Sequence, residues 1–167
     1  MTDWEARLEY ARLLSNLHRY EEALTQLNKL LKEKPDSSLV LIEVAKIYYY
    51  EGKNIEALQI LEKLPAKDVD NKTKLLMADI NLALKKYPIA ESLYRKQLEN
   101  EPTDDLTKFK LAELLSWEKR YEESIQLYRE ILASRPEDIQ IRRKYAMVLF
   151  GWVKRKLQPK SLKNFIG

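Results

Sequence analysis

Arg19-Tyr20-Glu21-Glu22-Ala23-Leu24 is written again, nearly letter for letter, as Arg120-Tyr121-Glu122-Glu123-Ser124-Ile125. Twelve residues after the Ala or Ser stands a proline, Pro35 in the first copy and Pro136 in the second. Ala57 and Ala90 fall between them, so that Ala23, Ala57, Ala90 and Ser124 are spaced by 34, 33 and 34 residues. A parallel series of small residues, Ala11, Ala45, Ala78, Ala112 and Ala146, keeps the same interval, and Pro35, Pro102 and Pro136 follow it at 67 and 34. A period of this length marks a helical-repeat solenoid, in which each unit buries its apolar face on its neighbours and leaves one face free for a ligand.

Aligned on that period, the repeats cover 4–37, 38–70, 71–104 and 105–138, followed by a helical remnant over 139–157. The eighth and twentieth positions hold only small residues because they meet where two antiparallel helices cross, and a larger side chain there would force the axes beyond roughly 8–10 Å. Larger apolar residues surround them. Position seven reads Tyr10, Val44, Met77, Leu111 and Tyr145, and position 24 reads Leu27, Leu61, Tyr94 and Tyr128. With Leu14, Tyr48 and Leu115 these give the spacing of amphipathic helices, and all are expected in the core. Glu21, Glu22, Glu56, Glu91, Glu122 and Glu123 fall in or near the first turn of each second helix, where carboxylates offset the positive end of the helix dipole. Paired acids of this kind also suit general acid/base work, but the helix-start explanation accounts for every one.

The pattern resembles the tetratricopeptide repeat, a 34-residue unit with small residues at its eighth and twentieth positions, an aromatic near the start of the second helix and a proline near the end. The resemblance implies an all-α, right-handed α-solenoid of four helix pairs plus a C-terminal helix, with a repeat domain over 1–157 and a basic tail over 158–167. Three departures stand out. Glycine occupies the turn between paired helices only once, as Gly52; repeat two is one residue short, with Pro65 ending its second helix early; and position four holds Arg7, Leu41, Lys74 and Lys108 where the family often has Trp.

The resemblance also implies a function: a non-catalytic module that binds a peptide or helix of a partner protein in its concave groove, as an adaptor or assembly scaffold. The alternative is a spacer within a larger bacterial envelope, secretion or polysaccharide-export protein. Groove positions lie on the first helix of each pair, and carrying them over residue by residue gives Arg12, Ile42, Lys46, Tyr49, Asp79, Phe109, Glu113, Trp117, Arg143 and Phe150. Leu8, Leu75 and Leu82 accompany them, the aliphatic ones being equally explained as core. The floor is apolar and aromatic, crossed by charges of both signs, so a uniformly acidic or basic ligand fits poorly. The family's clamp for chaperone tails uses Lys at position five and Asn at nine; Leu8 and Arg12 stand there instead, which disfavours that ligand.

Composition narrows the remaining chemistry. A chain of 167 residues with 34% charged residues, three glycines and no cysteine fits one helical domain, and excludes disulfides, thiolate metal sites and a thiol nucleophile. His18 is the sole histidine, in a turn, and no glycine-rich loop follows a strand, so no catalytic or metal site and no cofactor is expected. Residues 1–20 carry Asp3, Glu5, Arg7, Glu9, Arg12 and Arg19 where a secretory leader needs an apolar run. The expected location is the cytoplasm, or the periplasm if the sequence is a piece of a longer chain.

Charge is uneven along the chain. Residues 139–167 hold eight basic residues and no acid, against 22 basic and 26 acidic before them. Such an end suits an anionic membrane surface, although cations near a helix C-terminus are equally explained by its negative pole. Specific nucleic-acid binding is disfavoured, because no base-stacking aromatics are spaced along a basic stripe. Met147, Val148, Phe150, Trp152, Val153 and Leu157 surround a terminal helix that has no second helix to cover it, so cover by a second copy of the chain, by the Leu162, Phe165 and Ile166 tail, or by further residues is expected.

Overall fold

The structure, a computed structural model, describes residues 2–157. Among them run nine α-helices and no strand: α1 (Asp3–Asn16), α2 (Tyr20–Glu33), α3 (Ser38–Tyr50), α4 (Asn54–Glu62), α5 (Asn71–Ala83), α6 (Tyr87–Asn100), α7 (Asp105–Trp117), α8 (Tyr121–Ser134) and α9 (Ile139–Leu157). The expected tail over 158–167, with Leu162, Phe165 and Ile166, lies outside the described residues. Two compact units divide the chain, Met1–Leu93 and Tyr94–Gly167.

One turn is used four times. After α1, α3, α5 and α7 the backbone enters the left-handed region at His18 (φ 59°), Gly52 (78°), Lys85 (59°) and Lys119 (62°). Each of these N–H groups donates three residues back, and the next N–H donates five back: Arg19 to the Leu14 carbonyl at 2.9 Å, Lys53 to Tyr48 at 2.8 Å, Lys86 to Asn81 at 2.8 Å and Arg120 to Leu115 at 2.9 Å. This pair of bonds satisfies carbonyls that a helix end otherwise leaves open. A single glycine in four turns is therefore enough, because the bonds hold the conformation where lysine or histidine stands.

Side chains cap the starts of α1, α5 and α7, but not that of α3. Thr2 and Glu5 form a reciprocal capping box, Asp70 accepts from the Thr73 N–H, and Asp104 accepts from the Leu106 and Thr107 N–H groups. Repeat two closes early, α4 ending at Glu62 before Pro65 opens a short 3-10 turn over Ala66–Asp68.

In the first unit α1 pairs with α2 and α3 with α4, while α1, α3 and α5 lie side by side. Ala11 and Ala23 share one buried cluster with Leu8, Leu14, Leu27 and Leu30; Ala45 and Ala57 share another with Leu58, Leu61 and Ile80. In the second unit α8 packs on both α7 and α9 around Ala112, Ile125, Tyr128, Ile131 and Val148. There the crossing is marked by a bond, since the Ser124 hydroxyl donates to the Ala112 carbonyl at 2.7 Å. Positions eight and twenty thus face each other as their size requires.

Two of the expected core residues are not in the core. Tyr10 is exposed because position seven elsewhere packs back on the preceding helix pair, and no pair precedes α1 among the described residues. Ala146 is exposed because no second helix crosses α9 among them.

Candidate functional site

In the first unit, α1, α3 and the start of α5 border an open cleft of about 500 Å³ lined by Arg12, Ser15, Ile42, Glu43, Lys46, Tyr50 and Thr73, among others. Three of the expected groove residues, Arg12, Ile42 and Lys46, meet here. What gathers the two cations is a residue absent from that set. Glu43, only 8% exposed, accepts from Arg12 Nε and from Lys46 Nζ, both at 3.0 Å on the same Oε1. A buried carboxylate needs such partners, and two cations bridged by one acid are held at fixed separation. Arg12 also pairs with Glu9. Burial alone would lower the Arg12 pKa, but the Glu9 and Glu43 carboxylates more than offset it, and the guanidinium is held above its ordinary value. Below the cations, the Asp70 carboxylate is committed to capping α5, and its bonds from Thr73 keep its pKa down.

Tyr49 does not line this cleft. It is half-buried against the cluster of Ala45, Ala57 and Leu58. Its phenol pKa is raised first by that burial and then by the charge of Asp79, another residue expected in the groove. The residue next along, Tyr50, is the exposed aromatic of the cleft, at 58%. Tyr50 stacks on Tyr20 with ring centroids 6.1 Å apart, and Tyr20 in turn bonds His18 Nδ1 at 2.8 Å. Leu8, at 3% exposure, is core.

In the second unit Phe109 is half-buried and meets Tyr128 edge-on at 6.1 Å. Glu113 on α7 takes a bond from Lys144 on α9; burial first, and then the Glu113 charge, push the Tyr128 phenol up. Phe109 borders a smaller cleft of about 310 Å³ with Leu106, Ile131, Arg135 and Ile141. Arg143, Trp117 and Phe150 are exposed.

Glu43, Tyr50, Tyr20 and His18 were not among the expected site residues. For Glu43 a signal exists: it is the only acid of α3, in an otherwise apolar and aromatic helix, three residues before Lys46. Three of the acids at the second-helix starts, Glu22, Glu122 and Glu123, are bonded to neighbours. Glu22 accepts twice from Arg19, Glu123 from Arg120 and Arg95, and Glu122 from the Trp152 indole at 2.8 Å. These bonds hold all three carboxylates below their ordinary pKa. Among the described residues there is no group of three metal-ligating side chains, and no helix is long and apolar enough to cross a membrane.

Comparison with known proteins agrees with the fold. The tetratricopeptide repeat family model matches residues 4–47. No curated protein matches by sequence. Among solved structures, the chain is similar to the MamA protein (TM-score 0.74, 15% identity, 92% of this chain and 84% of that one). It is also similar to YrrB, described as a tetratricopeptide-repeat protein with an unusual peptide-binding site (0.70, 15%, 94% and 80%). A tetratricopeptide repeat protein from Parabacteroides merdae gives 0.75 at 18% identity, over 91% of this chain and 60% of that one.

Proposed function

We propose that this chain, a tetratricopeptide-repeat protein by its repeats and its fold, is a non-catalytic interaction module whose α1–α3–α5 face holds a segment of a partner protein. The observation that carries this reading is the charge-organised cleft of the first unit. Glu43 is satisfied within the protein, and Asp70 is committed to its helix start, so what is left to meet a ligand is cationic or neutral: the remaining N–H donors of Arg12 and Lys46, with Lys72, Ser15 and Asn16 also on the cleft wall. Beside them Ile42 and Tyr50 offer apolar and aromatic surface. The fitting ligand is a peptide that sets an acidic side chain on the two cations and an apolar side chain on Tyr50 and Ile42. An aromatic anchor beside ordered cations is the kind of site that dominates binding energy, and cations already fixed on Glu43 lose less side-chain freedom when the ligand arrives.

Absence of catalysis in this reading is supported by the carboxylates at the second-helix starts. Bonded to Arg or Trp and held ionised, they are poorly suited to act as general acids near neutral pH.

A peptide-display library selected against the full chain tests the proposal. Selected peptides are expected to carry Asp or Glu near an apolar residue, and to lose affinity on the order of tenfold or more for Lys46→Glu and for Tyr50→Ser. Tyr50 is exposed, whereas Lys46 is partly buried and bonded to Glu43, so each variant is first shown by circular dichroism and thermal melting to be folded, with Lys46→Gln as the milder check. Peptides that bind both variants unchanged would refute the assignment.

A further inference from the structure

The small eighth-position residue is buried at a helix crossing in α1, α3 and α7 and is buried in α5, whereas that of α9 lies in the open. Ala112 of α7 is fully buried, with the Ser124 hydroxyl of α8 bonded to its carbonyl; Ala146 stands 34 residues later at the same repeat position and is exposed. The inward face of α9 is occupied, Val148 being buried and Ile141, Tyr145, Leu149 and Trp152 packed around the α7–α8 cluster. Outward, Ile139, Ala146, Phe150, Val153 and Leu157 recur at intervals of 7, 4, 3 and 4 residues. At 3.6 residues per turn they fall within an arc of about 60°. Phe150 is 72% exposed and Leu157 76%. Arg143 and Lys154 flank this stripe on one side and Arg142 and Lys156 on the other, as the same helical spacing dictates. Arg143 and Lys154 have no carboxylate in ion-pair reach among the described residues.

We infer that the outward face of α9 is a docking site for an acidic amphipathic helix of a partner protein, seated as α8 is seated on α7. The fold supplies the template: a helix with a small residue at its crossing point, here set over Ala146, and apolar residues along the stripe. Charge selects the occupant. α9 carries six cations, Arg142, Arg143, Lys144, Lys154, Arg155 and Lys156, and no acid. Two α9 helices laid together at the close approach that Ala146 permits would set these cations against one another, which disfavours a second copy at this face. Residues 158–167 add Lys160 and Lys163 and no acid, which disfavours that segment as the occupant in the same way. A helix with Glu or Asp on both flanks of its apolar stripe meets both cationic rows and covers the exposed apolar surface.

The probe is a blocked, fluorescently labelled peptide with the sequence of α8 (Tyr121–Ser134), which carries Glu122, Glu123 and Glu130 and is the helix that covers α7. Its anisotropy is followed on titration with the full chain. Saturable binding is expected, weakened at least about tenfold by Ala146→Arg and by Val153→Asp, each checked by circular dichroism. Replacing the three peptide glutamates by Gln should weaken it as well. No binding, or binding indifferent to both variants, overturns the inference. Concentration-dependent dimers in light scattering that Val153→Asp abolishes would make a second copy the occupant and overturn it too. So would binding to phosphatidylserine vesicles, lost in the same variants, in a chain that ignores the peptide.

Discussion

Replacing Gly52 by Ala isolates one physical term. A Cβ built at Gly52 meets no atom within 4 Å, so the substitution creates no clash, and its cost is that of holding alanine at φ 78°. The left-handed conformation costs a residue with a side chain roughly 1–2 kcal/mol. Removing glycine's freedom from the unfolded chain returns roughly 0.4–1 kcal/mol, which leaves a net destabilisation of about 0.5–1 kcal/mol. The three equivalent turns supply the reverse experiment. Lys85→Gly and Lys119→Gly relieve the same strain and keep the backbone bonds, including the one the Lys119 carbonyl accepts from Arg155 at 2.6 Å. Each should stabilise by about 0.5 kcal/mol after the glycine entropy is subtracted. His18→Gly also gives up the bond to Tyr20, worth roughly 0.5–1.5 kcal/mol, so no net gain is expected there. Urea denaturation followed by circular dichroism, with unchanged slope, reads these differences as midpoint shifts. Gly52→Ala with wild-type stability, or a lysine turn weakened by glycine, would refute the reasoning from backbone conformation.

Ala112→Leu should destabilise the second unit by about 1–3 kcal/mol, because the site is fully buried at a helix crossing, and thermal melts would show it. Ser124→Ala, which removes the bond to the Ala112 carbonyl without changing the crossing distance, should cost about 1 kcal/mol in the same melts. Acid should destabilise the fold in a defined window. Folding depresses the pKa of Asp70 and Asp104 from 3.8, and of Glu22, Glu33, Glu122 and Glu123 from 4.5. Their stabilisation is fully present above those unfolded values and is lost as the pH falls below them through the lower folded values. Denaturation midpoints should hold from pH 8 to about pH 6 and drop below about pH 4.5, and Asp104→Asn, which keeps a cap without the charge, should soften the drop.

Most of the fold was legible because the repeat imposes the same physics four times. Small residues at positions eight and twenty are a steric demand, and Ala23, Ala57, Ala90 and Ser124 all proved fully buried. Sequence reading failed where a repeat has no neighbour among the described residues: Tyr10 and Ala146 obey the period and still face solvent. The site was less legible. Arg12, Ile42 and Lys46, expected from their repeat positions, line one cleft, but Glu43, which bonds both cations, lies between the expected positions, and its bonds depend on α1 and α3 lying side by side. Tyr49 and Tyr50 differ by one helical step, about 100°. That step puts Tyr49 against the core and Tyr50 on the cleft, and a repeat alignment one residue out of phase at this point exchanges their roles. The acids at the second-helix starts were explained as dipole partners, and the structure adds their bonds to Arg19, Arg120 and Trp152.

The central claim is that a partner segment lies on the α1–α3–α5 face of the first unit. Two-dimensional amide NMR of the full chain, titrated with a peptide selected against it, tests this most directly. The account expects the largest shift changes at Arg12, Ile42, Lys46, Tyr50 and Thr73, all lost in the Lys46→Glu variant. Changes confined to α2 and α4, with the cleft amides unmoved, would contradict it.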